Sequence, residues 1–196
     1  MLTHSVPRLD AILLTHAHRD HVAGLDDIRA YNYTQCQPMQ LYCNPQAEAT
    51  LRRDYAYIFS PHPYPGLPEV VLHTVSDAAP FTAAGETIVP IPALHKDLPV
   101  LGFRIGTIAY ITDANHLPEE SLALLHDLDI LVLNALRLQP HPSHFCLPQA
   151  LYLIGDLRPR QAYITHISHE MGLARDIARQ LPANVALAHD GLEVNL

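Results

Sequence analysis

Leu13-Leu14-Thr15-His16-Ala17-His18-Arg19-Asp20-His21 is the stretch on which the reading of this chain turns. Three imidazoles and a carboxylate crowd into residues 16–21, directly after the apolar run Ala11-Ile12-Leu13-Leu14. Core packing has no use for such a cluster, because titratable side chains at the end of a buried strand cost free energy unless they are paired or bind metal. In extended backbone, residues i and i+2 point to the same side, so His16 and His18 can grip one ion. The chain must then turn, with Asp20 and His21 following and a helical pattern starting near Val22 to Leu25. Two adjacent metal sites that share a set of ligands want this H-x-H-x-D-H arrangement, backed by a strand on one side and a helix on the other.

Working outward, the 196 residues suit one α/β domain over 1–196, long enough for a substantial core. Apolar residues make up 48%, and no uninterrupted apolar run approaches a membrane span. The net charge of −8 argues against broad, charge-driven binding to long nucleic acid. A small phosphate ester stays compatible with it, since bound dications reverse the sign locally. Cys36, Cys43 and Cys146 are odd in number and lack Cys-x-x-Cys spacing, so no disulfide framework is expected; they read as small apolar residues in a reduced, cytoplasmic protein. No basic, signal-peptide-like segment precedes the first strand.

The pattern predicts strands over 9–15, 40–43, 70–75, 100–105, 107–112, 129–134 and 161–165, two short strands within 81–92, and a last strand over 185–196 broken near His189-Asp190-Gly191. Helices are predicted over 25–33, 45–59, 118–125, 147–157 and 172–181. Tyr55 and Tyr57 fall on one of these and are expected to pack. The Pro-rich stretch 61–68, which holds His62, reads as a surface flap. Strands first, then alternating strand and helix, suggest two sheets with helices outside, a four-layer αββα sandwich or part of one.

Ligands from distant sequence can meet only at one edge of the sheets. His95 follows the run Ile88 to Leu94, Asp113 ends Ala109 to Thr112, and His166 ends Ala162 to Thr165. Each is one polar residue capping an apolar run, as His16 is. Bland readings also exist: a hydrogen-bonded loop histidine for His95, a turn or N-cap aspartate for Asp113, and His169 as a rival to His166. His4, His73, His116 and His126 carry no such signal, and His189 is set aside with them although it precedes Asp190-Gly191.

His16-Ala17-His18-Arg19-Asp20-His21, His95, Tyr110-Ile111-Thr112-Asp113 and Thr165-His166-Ile167-Ser168-His169 resemble, in that order, the metallo-β-lactamase superfamily. The run Leu14 to Asp27 looks like the branch that holds the cyclic-phosphate phosphodiesterase (PhnP-like), a relative of the tRNA 3′-processing nucleases. Asp190-Gly191-Leu192-Glu193-Val194 looks like the end of that branch. The resemblance covers nearly the whole chain. It implies an αββα sandwich in which His16, His18 and His95 hold one ion, Asp20, His21 and His166 hold the other, and Asp113 bridges them. It also implies a proton donor to the leaving group at His144, with His141 as a neighbour in the same loop. Family members normally carry further strands and a glycine-rich segment ahead of the histidine cluster; here the cluster arrives at residue 16, so the fold is expected to be N-terminally shortened, with an exposed sheet edge open to homodimer pairing.

The function implied is that of a binuclear metal-dependent hydrolase, using two Zn²⁺ or Mn²⁺ ions on a small cyclic or nucleotide phosphodiester. In it Asp20 would help hold the second ion and accept a proton from the attacking water, and His144 would protonate the leaving alkoxide. Alternatives keep the site and change the substrate to a thioester, a lactone or an RNA 3′ end, or leave a metal-binding fragment without turnover.

Overall fold

The computed structural model describes residues 6–60, 64–76 and 79–194. His4 and His62, with the tip of the Pro-rich flap, lie outside them. The chain forms two compact units, Met1–Thr87 and Ile88–Leu196.

In the first unit, β1 (Ala11–Leu13) leads to α1 (Arg19–Val22), and a 3-10 turn, Leu25–Ile28, runs into α2 (Arg29–Gln35). Then come β2 (Met39–Cys43), α3 (Pro45–Asp54), β3 (Val70–Thr74) and β4 (Phe81–Ala83). Three strands form a parallel sheet in the order β1-β2-β3. On β2, Met39, Leu41 and Cys43 are buried while Gln40 and Tyr42 are half-buried on the other face, the alternation a pleated strand imposes. α3 opens with Pro45 at its first position, and the Asn44 side chain accepts a hydrogen bond from the Ala47 N–H at 2.7 Å.

Several elements differ from the sequence expectation. β1 covers three residues, and the Gln35 amide takes the backbone of Leu9 ahead of it: its Oε1 accepts the Leu9 N–H at 2.7 Å and its Nε2 donates to the Leu9 carbonyl at 2.9 Å. The first helix begins at Arg19, so Asp20 and His21 stand within a helical turn. α3 stops at Asp54, where the buried Tyr55 donates its hydroxyl to the Val22 carbonyl at 2.7 Å and draws the chain off the helical line. Tyr57, expected to pack on that helix, is exposed instead and donates to Asp26 at 2.5 Å.

The second unit takes over within β5 (Glu86–His95) and continues through β6 (Leu98–Ile105), β7 (Ile108–Ile111), α4 (Glu119–Ala123), β8 (Ile130–Asn134), α5 (Leu147–Leu157), β9 (Gln161–Thr165), α6 (Ala174–Ala178) and β10 (Val185–Leu187). Its strands run in the order β10-β9-β8-β7-β6-β5. β5, β6 and β7 form an antiparallel meander, and β7 to β10 are parallel, linked through α4, α5 and α6. β5 is one long strand. Pro90 and Pro92 fit because their missing donors fall on the side away from β6: Leu94, of the same parity, donates to His116 and not to β6. At Gly102 an added Cβ would lie 2.8 Å from Ile111 Cγ1 and 2.9 Å from the Tyr110 carbonyl oxygen, so the close approach of β6 to β7 requires glycine. Ile91, Ile111, Leu131, Leu133 and Ile164 fill the core.

This topology fixes where polar residues emerge. β7, β8 and β9 are parallel, and β5 runs with them because it is antiparallel to β6, which is antiparallel to β7. Their carboxyl ends therefore share one rim, and His95, Asp113, Asn134 and His166 stand there, the usual place for ligands in such sheets. No helix among the described residues is long and apolar enough to cross a membrane.

Candidate metal centre

Within the first unit, His16 is 2% exposed three residues beyond β1. Its Nε2 lies 3.0 Å from Nδ1 of His18, and its Nδ1 lies 3.1 Å from the Thr15 hydroxyl, a contact that orients the ring. Two imidazole nitrogens on one tetrahedral ion stand about 3.3 Å apart, so this pair needs little movement to share a cation. His21, on α1, stacks at a tilt on His16 with ring centroids 4.2 Å apart, and its Nε2 is 3.4 Å from the Asp20 carboxylate. Asp20 is largely exposed.

Within the second unit, Asp113 is 2% exposed. One carboxylate oxygen accepts from the Thr112 hydroxyl at 2.7 Å and the other lies 3.1 Å from Nε2 of His166. Both residues hold left-handed backbone, φ 58° for Asp113 and 53° for His166, which turns the chain sharply at the end of each strand. The neighbour of Asp113 is clamped. Asn134, fully buried at the end of β8, accepts from the Ala114 N–H and donates to the Ala114 carbonyl, each at 2.9 Å. His95 closes β5 beside a two-residue turn, Lys96-Asp97, and its Nδ1 lies 2.8 Å from the Ser143 carbonyl oxygen.

His144 is buried among these residues, with ring centroids 4.5 Å from His95 and 4.9 Å from His166. Burial pushes its pKa down to about 4; the Asp113 carboxylate opposes this, and His95, His166 and His141 add to it. At neutral pH the ring is therefore uncharged in the metal-free protein. Donor atoms of His95, Asp113 and His144 all lie within 4.8 Å of one another.

A family model described as a beta-lactamase superfamily domain matches residues 2–167. The chain belongs to the beta-lactamase superfamily. Among solved structures, a diphosphatase of the PhnP family is 35% identical with a TM-score of 0.90, over 100% of this chain and 74% of that one. The metallo-beta-lactamase fold protein YhfI from Bacillus subtilis (19% identical, TM-score 0.77, 97% of this chain and 80% of that one) and the short form of human tRNase Z (19%, 0.67, 93% and 77%) share the fold. A protein named octanoyltransferase from Porphyromonas gingivalis is 35% identical over 96% of this chain and 38% of its own length. A ribonuclease Z from a Mycobacterium species is 31% identical over 50% of this chain and 39% of its own. The chain thus spans about two fifths of the length of these curated relatives. The metallo-β-lactamase fold and the PhnP-like likeness expected from the histidine motif are both met.

In this metallo-β-lactamase chain the donor set suits a divalent metal: imidazole nitrogens and carboxylates, the mixture that zinc and manganese accept. Among the described residues, Nδ1 of His144 is buried without a hydrogen-bond partner, a polar atom that a cation or water can satisfy. His16, His18, Asp20 and His21 gather in the first unit, and Asp113, His166, His95 and His144 in the second. His141 lies beside His144, ring centroids 5.1 Å apart, whereas His189 is exposed and bonds to the carbonyl of its own neighbour, Asp190. Sequence reasoning missed Asn134. Its signal was present: it too is a polar residue ending an apolar strand.

Proposed function

We propose that the chain is a metal-dependent hydrolase with a binuclear centre, acting on a small phosphodiester, cyclic or nucleotide. The observation that carries this reading is the buried Asp113 carboxylate held 3.1 Å from His166 at the strand rim. In this reading His16, His18 and His95 hold one ion, Asp20, His21 and His166 the second, and Asp113 serves both. When bound, the two ions supply Lewis acidity, bringing the pKa of a bound water toward about 7 and neutralising charge on the phosphoryl oxygens. The chain supplies the rest. Thr112 and His166 hold the Asp113 carboxylate in one orientation. Asp20, exposed to solvent, can take a proton and pass it on. His144 begins neutral, so a proton it gives to the leaving oxygen must first be collected, either from the attacking water or from solvent. The diphosphatase name of the 35% identical structure supports a phosphoryl substrate, and the free cysteines suit a reducing cytoplasm.

The test is hydrolysis of bis-p-nitrophenyl phosphate, cyclic nucleotides and a dinucleoside diphosphate by the purified chain, with Zn²⁺ or Mn²⁺ added and metal content measured. Two ions per chain, with turnover that Asp113→Ala abolishes, are expected. The octanoyltransferase name of one relative makes an octanoyl thioester the comparison substrate. Turnover of the thioester alone would overturn the phosphodiester assignment, and bound metal without any turnover would leave a metal-binding protein.

A further inference from the structure

Asn115 lies two residues beyond Asp113, partly exposed, and its side chain reaches two other loops. Its Oδ1 accepts the Lys96 N–H at 2.6 Å, next to His95. Its Nδ2 donates to the Pro142 carbonyl at 3.2 Å, two residues before His144. Its own N–H donates to the Leu94 carbonyl at 2.9 Å, on the other side of His95. Lys96 holds left-handed backbone, φ 57°, a conformation that costs a lysine free energy and needs holding from outside. One amide thus spans the turns that carry His95, Asp113 and His144, all inside the second unit.

We infer that Asn115 is a positioning residue that sets the spacing of His95, Asp113 and His144. The inference rests on the metal-centre reading above, but its two bonds separate two effects. The Lys96 bond fixes the backbone of the His95 turn, hence the aim of a metal ligand. The Pro142 bond fixes the loop of His144, which carries a proton and not, in this reading, an ion. Residues that support a ligand without touching the metal typically change affinity by about 10–100-fold when removed.

Asn115→Ala removes both bonds; Asn115→Asp keeps an acceptor for Lys96 and loses the donor to Pro142. Zinc affinity of the full chain, stripped with a chelator and titrated by calorimetry, should fall at least about 10-fold in Asn115→Ala and recover to within about threefold of wild type in Asn115→Asp. The kcat on bis-p-nitrophenyl phosphate should stay reduced in both variants, with KM unchanged. Amide hydrogen exchange at Lys96, measured without metal, should accelerate in Asn115→Ala and not in Asn115→Asp, so the tether is read even if the chain hydrolyses nothing or binds no zinc. Equal Lys96 exchange in the three proteins overturns the inference, as does an Asn115→Asp variant no better than Asn115→Ala in zinc affinity.

Discussion

The carboxylate of Asp113 stands 3.1 Å from Nε2 of His166 across the end of β8, the strand that separates β7 from β9. Both residues leave their strands through left-handed backbone, where aspartate and histidine are tolerated better than branched residues. The contact is therefore a product of two strained turns. What holds the first turn is Asn134, which takes both backbone groups of Ala114.

Replacing Asn134 with alanine strands the buried N–H of Ala114, whose carbonyl keeps the Phe145 N–H at 2.8 Å. A buried backbone group left without a partner costs about 1–3 kcal/mol, so Asn134→Ala should lose about that much in urea unfolding. Loosening the turn should also weaken metal binding in whatever fraction stays folded. A variant as stable as wild type would show that water satisfies Ala114 and that the clamp is dispensable.

Gly102 has no room for a methyl group. Overpacking of this kind costs about 1–3 kcal/mol, here through contact with Ile111 and the Tyr110 carbonyl. Gly102→Ala should lower the thermal midpoint by several degrees, and calorimetry reads it. The neighbouring Gly106, in the open hairpin turn at φ 56°, has nothing within 4 Å, so Gly106→Asn should be close to neutral by comparison.

The depressed pKa of His144 ties stability to pH. Its ordinary value is 6.5 and the folded value is about 4, so the unfolded chain binds the proton more readily between them. The contribution is fully present above about 6.5, is lost as pH falls through that range, and is gone below about 4. Its ceiling is about 3 kcal/mol. In the chelator-treated protein, urea midpoints of wild type and His144→Gln should converge or cross between pH 7.5 and 4, because only wild type loses this increment. Parallel curves would refute it.

The three thiols should react unequally. Cys36 is exposed at the end of α2, while Cys43 and Cys146 are buried. Burial, helped by the Glu48 charge, raises the Cys43 thiol to about 12, leaving almost no thiolate at pH 8. Native protein should titrate one thiol with a disulfide reagent and three in denaturant. Rapid modification of all three without denaturant would contradict the packing of β2 and of the turn before α5.

Much of this site is legible along the chain because the same physics acts at each strand end. A buried strand needs an apolar run, and the residues where the chain leaves the rim are free to be polar; His95, Asp113 and His166 stand at or within two residues of such ends, and His16 three residues past β1. The helix starting at Arg19 was less legible, since four residues of His-rich turn carry no periodicity. The long β5 was hidden by Pro90 and Pro92, which read as strand breakers until it is known that their donors face away from β6. Tyr57 fits a helical period in the sequence, but Tyr55 interrupts that period by bonding to Val22.

Residue types and their order sufficed to determine the α/β class, the superfamily and the candidate donors, because burial forces apolar strands and metal chemistry restricts the donors to a few side chains. Only the tertiary structure decided how those donors are aimed. The left-handed turns at Lys96, Asp113 and His166, the Asn134 clamp and the Asn115 tether all depend on hydrogen bonds between segments some 20 residues or more apart in sequence, whose partners exist only once the sheet has brought the strand ends together.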